Sequence, residues 1–173
     1  TDVNGTNMTW MEPEVGHFYI FEAAHQHCVM PFKTKIKGEY MSNDIEKTYL
    51  DKQEIYELAC KYMRGLDRWD KELLGSVFHD DAFCEYGFHN SDAATFVDFC
   101  MEALGGHISN HHMIGQMLIE VDGEEAFGEV YFNAYHKTKK EDGSFEEVII
   151  AGRYIDRYEK REGLWKISYR SEA

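Results

Sequence analysis

The chain has 173 residues, 43% of them hydrophobic and 14% aromatic, which suffices to bury one sizeable core but not two. Lys and Arg number 18 against 32 Asp and Glu, and the formal net charge of −14 repels phosphate backbones and anionic lipid head groups, so neither nucleic acid nor a membrane surface is expected as a partner. No apolar run approaches the roughly 18–20 residues of a membrane helix and no basic-then-apolar leader is present, so the expected location is the cytoplasm.

Residues 1–40 carry clustered histidines (His17, His25, His27), an aromatic run (Phe18, Tyr19, Phe21) and a basic patch (Lys33, Lys35, Lys37) with no clear period. They read as an N-terminal arm appended to a domain over 41–173. His25-Gln26-His27-Cys28 has metal-ligating side chains, but no second ligand group follows at a recognisable spacing, and no metal site is expected. Cys28, Cys60, Cys84 and Cys100 are too far apart for a CxxC arrangement and read as reduced, packed thiols.

Met41-Ser42-Asn43-Asp44 opens a long amphipathic pattern. Ile55, Leu58, Ala59, Tyr62, Met63 and Leu66 recur at three and four residues, which predicts a helix with one buried face whose last turn Gly65 loosens. Asp70 can cap a second, shorter helix carrying Leu73, Leu74, Val77 and Phe78, leaving Asp67 in the corner between the two. Ala82 to Phe88 reads as a strand. Ser91-Asp92 starts a third helix with Phe96, Val97, Phe99, Cys100 and Leu104 on its apolar face, and Gly105-Gly106 ends it. Four long strands then follow, over about 111–121, 124–138, 145–160 and 164–170, with reversals at Asp122-Gly123, Asp142-Gly143 and Glu162-Gly163. Helices first and an antiparallel meander afterwards is an α+β order, in which the sheet covers its apolar face with the helices.

The chemistry centres on a separated pair, Asp67 and His112. A carboxylate that accepts from one imidazole nitrogen leaves the other free to take a proton and stabilises the resulting imidazolium. Each residue also has a plainer use: His112 as a half-buried ring satisfied by a carbonyl, Asp67 as a helix cap or the partner of Arg64 or Arg68. His111 precedes His112 on the strand and should face the other way. Tyr62 reads first as a core aromatic, while its hydroxyl would suit a donor to an oxygen that gains charge. Arg153, mid-strand, must find a carboxylate or a substrate anion. Tyr86, Phe88, Met113, Met117, Phe132 and Tyr135 are candidates for an apolar pocket wall or for ordinary core. Val130, Phe132, Val148 and Ile150 exceed what one small domain can bury and suggest self-association through the sheet's outer face.

Six local patterns in order carry a resemblance: Tyr62-x-x-Gly65-Leu66-Asp67, Phe78-His79-Asp80-Asp81-Ala82, Tyr86-Gly87, His111-His112-Met113-Ile114-Gly115, Gly152-Arg153-Tyr154-x-Asp156-x-Tyr158-Glu159 and Arg161-Glu162-Gly163-x-Trp165-Lys166-Ile167. From about Asp51 to Arg170 the chain resembles the SnoaL-like branch of the nuclear-transport-factor-like superfamily. The resemblance implies a curved antiparallel sheet forming a cone-shaped half barrel closed by N-terminal helices. It also implies elimination chemistry that needs no organic cofactor. By position Asp67 and His112 match the family's aspartate–histidine pair, and Tyr62 matches a tyrosine that the bile-acid dehydratase type carries five residues before the aspartate. An ideal helix separates Tyr62 and Asp67 by about 140°, so their convergence requires the helix to end or distort near Gly65. The activity implied is a lyase or isomerase acting on a small apolar cyclic or polyketide-like molecule, in a homo-oligomer, dimer or trimer. The alternatives are a non-catalytic ligand-binding or assembly module, including the small subunit of a ring-hydroxylating dioxygenase; superfamily members include proteins of both kinds.

Overall fold

The structure, a computed structural model, describes residues 43–173, with side chains from Asp44 onward. The expected arm over 1–40, its histidines and Cys28 lie outside the described residues.

Helix α1 (Asn43–Arg68) buries Ile55, Leu58, Ala59, Tyr62, Met63 and Leu66, the face its three- and four-residue spacing dictates. It runs on past Gly65 to Arg68, so Gly65 does not loosen the last turn. Its role is close approach: a Cβ there would lie 2.9 Å from the Leu74 backbone. That contact seats α1 on α2 (Lys71–Ser76), whose first turn is capped by Asp70 accepting from the Leu73 N–H at 2.9 Å. Gly65→Ala is therefore expected to cost about 1–3 kcal/mol, read as a lowered urea midpoint at unchanged slope.

Strand β1 (Phe78–Glu85) begins earlier than the sequence suggests, because Phe78 already pairs with Ile167 of the final strand. A short β2 (Asn90–Asp92) precedes α3 (Ala93–Gly105), which Asp92 caps by accepting from the Thr95 N–H at 3.0 Å. Then come β3 (Ser109–Asp122), β4 (Glu125–Lys139), β5 (Phe145–Arg161) and β6 (Leu164–Glu172), joined by the three predicted reversals. The sheet order is β2-β1-β6-β5-β4-β3, antiparallel except where β1 runs parallel to β6. The N-terminal helices pack on this six-stranded sheet in an α+β cone fold.

The cone's core is aromatic. Phe132 stacks on Tyr154 with ring centroids 4.4 Å apart, Tyr86 on Phe96 at 4.5 Å, and Tyr62 meets Tyr154 edge-on at 5.6 Å. Val130 and Phe132 belong to this core and not to the outer face. Val148 and Ile150 share the inward side of β5 with buried Tyr154, since side chains two apart lie on one face. They are half exposed because β6 pairs with β5 only from Tyr154 onward. The outer face instead displays Leu118, Phe127, Tyr131, Ile149 and Ile155.

Candidate active site

β3 is an edge strand, so its outer edge turns backbone N–H groups toward α1 without a strand to receive them. The last turn of α1 supplies an acceptor. Asp67 Oδ1 takes the His112 backbone N–H at 2.9 Å and the His112 Nδ1–H at 2.7 Å. One carboxylate oxygen thus fixes both where the strand sits and how the ring is turned. The His112 side chain is 6% exposed and that of Asp67 21%. With the proton held on Nδ1, the Nε2 lone pair is the free basic site, and the aspartate charge stabilises the imidazolium formed when Nε2 takes a proton. Neither Arg64 nor Arg68 pairs with Asp67, so the plainer ion-pair use of this carboxylate does not hold.

Tyr62 does not join the pair. Because α1 is regular through Arg68, Tyr62 and Asp67 keep the roughly 140° separation of an ideal helix. Tyr62 points into the core and shares a 2.9 Å hydrogen bond with the Tyr86 hydroxyl. Burial pushes the pKa of both phenols well above the usual value, so they are neutral donors and acceptors bound to each other.

A second polar group, missed in the sequence, lies beside His112. Asn110 Oδ1 is 2.7 Å from His107 Nδ1 and 3.0 Å from His136 Nδ1, and an acceptor facing both rings assigns both as Nδ1–H tautomers. The His136 ring stands edge-on to His112 at 5.2 Å and to His107 at 5.2 Å. Burial first, then the neighbouring His112 and His107, lowers the His136 pKa below the usual 6.5. The folded state therefore binds fewer protons here than the unfolded chain. The stabilisation is complete above pH 6.5 and is lost as pH falls from there through the folded value. His136→Gln is expected to flatten the decline of melting temperature between about pH 6.5 and 5, measured by calorimetry across that range. The hairpin at Asp122-Gly123 was the available signal, since it brings the His136 region opposite the His111–His112 region.

A groove of about 400 Å³, open to solvent, runs between α1 and the β3 edge. α1 contributes Tyr56, Cys60, Met63, Arg64 and Arg68 beside Asp67, and β3 contributes Met113 and Ile114 beside His112. Of the predicted wall residues only Met113 lines it. Tyr86 and Phe132 are core, and Met117 packs half-buried against that core. Phe88 is exposed at the β1–β2 turn, against Tyr86 and Phe99. Tyr135 lies on the outward side of β4, opposite Ile149. Arg153 is also on the outer face, with Nε 3.0 Å from Glu129. Tyr86, Phe132 and Met117 fill inner positions themselves, whereas alternation along β4 and β5 turns Tyr135 and Arg153 outward. Among the described residues no group of three His, Cys, Asp or Glu side chains is arranged to hold a metal ion.

No curated protein matches the chain in sequence. Among solved structures it is similar to a putative scytalone dehydratase from Novosphingobium aromaticivorans (22% identity, TM-score 0.66, covering 73% of this chain and 85% of that one). It is similar also to a type-3 hexachlorocyclohexane dehydrochlorinase from Novosphingobium barchaimii (19%, TM-score 0.65, 75% and 89%) and to a Mycobacterium tuberculosis protein of unknown function (21%, TM-score 0.63, 75% and 74%). At these identities the likeness is one of fold. Residues 47–171 match the SnoaL-like domain over most of the sequence, and the chain belongs to that family.

Proposed function

We propose that the protein is a cofactor-independent lyase or isomerase in which His112 Nε2 removes a carbon-bound proton from a small cyclic or polyketide-like substrate with a largely apolar body. The observation that carries this reading is the double hydrogen bond from His112 to Asp67 Oδ1, which fixes ring, tautomer and charge together. The electrons of the broken C–H bond form the new double bond. In an elimination the leaving group departs with its own electron pair; in an isomerisation the proton returns at another carbon. Asp67 orients the imidazole and carries its countercharge throughout. Tyr62 has no part in this step, because its hydroxyl is bound to Tyr86 in the core. The dehydratase and dehydrochlorinase names of two structural neighbours support an elimination.

The test is hydrogen–deuterium exchange of candidate substrates in D2O. Label is incorporated at the acidic carbon with the wild type and not with His112→Gln. A second reading has one observation in its favour: the cone interior is filled by stacked aromatics and leaves the pair beside an open groove, an arrangement that suits a ligand-binding module. Ligand binding without any exchange would select it.

A further inference from the structure

We infer that the ligand of the Asp67–His112 groove carries a carboxylate on an apolar body, and that Arg64 and Arg68 hold that carboxylate. The substrate class so named rests on the groove being the functional site.

Among the described arginines, Arg153, Arg157, Arg161 and Arg170 each have a carboxylate partner: Glu129, Glu125, Asp81 and Asp156 respectively. Arg64 and Arg68 do not, and both line this groove. In a chain with 32 acidic residues against 18 basic ones, the two guanidiniums left without a carboxylate among the described residues stand side by side at this one groove. The obvious partner, Asp67, lies between them in sequence and is committed to His112 through its Oδ1. Arg64 and Arg68 are four residues apart on α1 and so project from one side, one turn apart. Two arginines against one acidic residue line the groove, in a protein whose composition is otherwise strongly acidic. The other groove described, at Glu46, Lys47, Asp51, Glu54 and Lys160, is acidic, and its Lys160 is held by Asp51 and Glu54.

The rest of the lining supplies the second half of the ligand. Met63, Met113, Ile114 and Tyr56 offer apolar surface beside the two guanidiniums. A volume of about 400 Å³ lies within the range of small-molecule sites. A planar guanidinium matches a carboxylate through two parallel N–H···O bonds, which fixes orientation as well as position. Anchoring the carboxylate on α1 would hold the apolar body along the β3 edge, where His112 lies, and such positioning is what a proton-abstracting site requires of its binding residues.

The experiment compares 2-naphthoate with 2-naphthamide, which share the apolar ring system and differ in charge, by calorimetric titration of the full chain at low salt. The wild type is expected to bind the carboxylate about tenfold or more tightly than the amide, with a preference that shrinks as salt rises. Arg64→Gln/Arg68→Gln removes the preference and leaves amide binding and melting temperature unchanged, since both side chains are at the surface. His112→Gln keeps the preference, which separates this inference from the proton-abstraction reading: loss of exchange activity with the preference retained supports both, and absence of exchange in every protein with the preference retained sinks only the catalytic reading. Equal binding of acid and amide by the wild type, including no binding of either, or a preference that survives in the double variant, overturns the inference.

Discussion

His112→Gln is expected to lower kcat/KM for a dehydratable or isomerisable substrate by about 10²–10⁴-fold while the protein remains folded, because general-base proton transfer is worth that much and glutamine has no basic nitrogen. Asp67→Asn is expected to fall in the same range for a different reason. The amide oxygen can still accept from the His112 backbone N–H and ring, so the strand stays seated. The negative charge that stabilises the imidazolium is gone, however, and the amide N–H₂ can compete for the ring with the wrong tautomer. The ¹⁵N shifts of the neutral His112 ring distinguish these effects: the wild type shows the Nδ1–H tautomer alone, and Asp67→Asn shows a tautomer mixture. Unaltered turnover of a true substrate in either variant would sink the pair as the catalytic base.

Asp156→Ala is expected to destabilise the fold by about 3–5 kcal/mol, a fall of roughly 10–20 °C in melting temperature, because it strands a buried charge. Arg170 is fully buried; its Nε and Nη2 each lie 2.7 Å from Asp156, one on each carboxylate oxygen, and its Nη1 has no partner among the described residues. The guanidinium packs against both Tyr62 and Tyr154, 4.2 and 4.1 Å from their ring centroids, in a fully buried position where solvent does not replace the lost carboxylate. Asp156 also accepts the Tyr158 hydroxyl at 2.6 Å, a second donor left unmatched. The charge on Arg170 is retained in the native fold: burial works against it, and the adjoining Asp156 outweighs that and raises its pKa. If the cost lies in the stranded charge and not in the worth of the pair, Asp156→Ala combined with Arg170→Met recovers much of the loss. A single-variant loss below about 1 kcal/mol by urea denaturation would show that the core relaxes to admit water at Arg170.

The elements of this protein are written locally. The spacing from Ile55 to Leu66 fixes α1 and its buried face, Asp70 and Asp92 mark the starts of α2 and α3, and the three glycine-containing reversals set out the meander, because caps, turns and periodicity depend on neighbours a few residues away. The pairing of Asp67 with His112 was legible only through the family's pattern, and the strand itself shows why. Met117, Ile119 and Val121 face inward on β3; strict alternation would carry His111 and Met113 inward with them and turn His112 out. A bulge between Ile114 and Met117 adds one residue and switches the inward set to Asn110, His112 and Ile114. That bulge also places Asn110 opposite His136, which assembles the histidine cluster. The fate of Tyr62 was decided in the same way, by whether α1 distorts at Gly65, and the packing of Gly65 on Leu74 holds the helix straight. Which arginines would be left without a carboxylate depended on partners up to 80 residues away, as between Arg161 and Asp81, and no local pattern encodes that. Sequence alone determined the three helices, the four-strand meander, their order and the α+β class, since these follow from local chemistry; where β1 begins, the short β2, register, bulge and long-range ion pairing depend on residues that only the folded chain brings together.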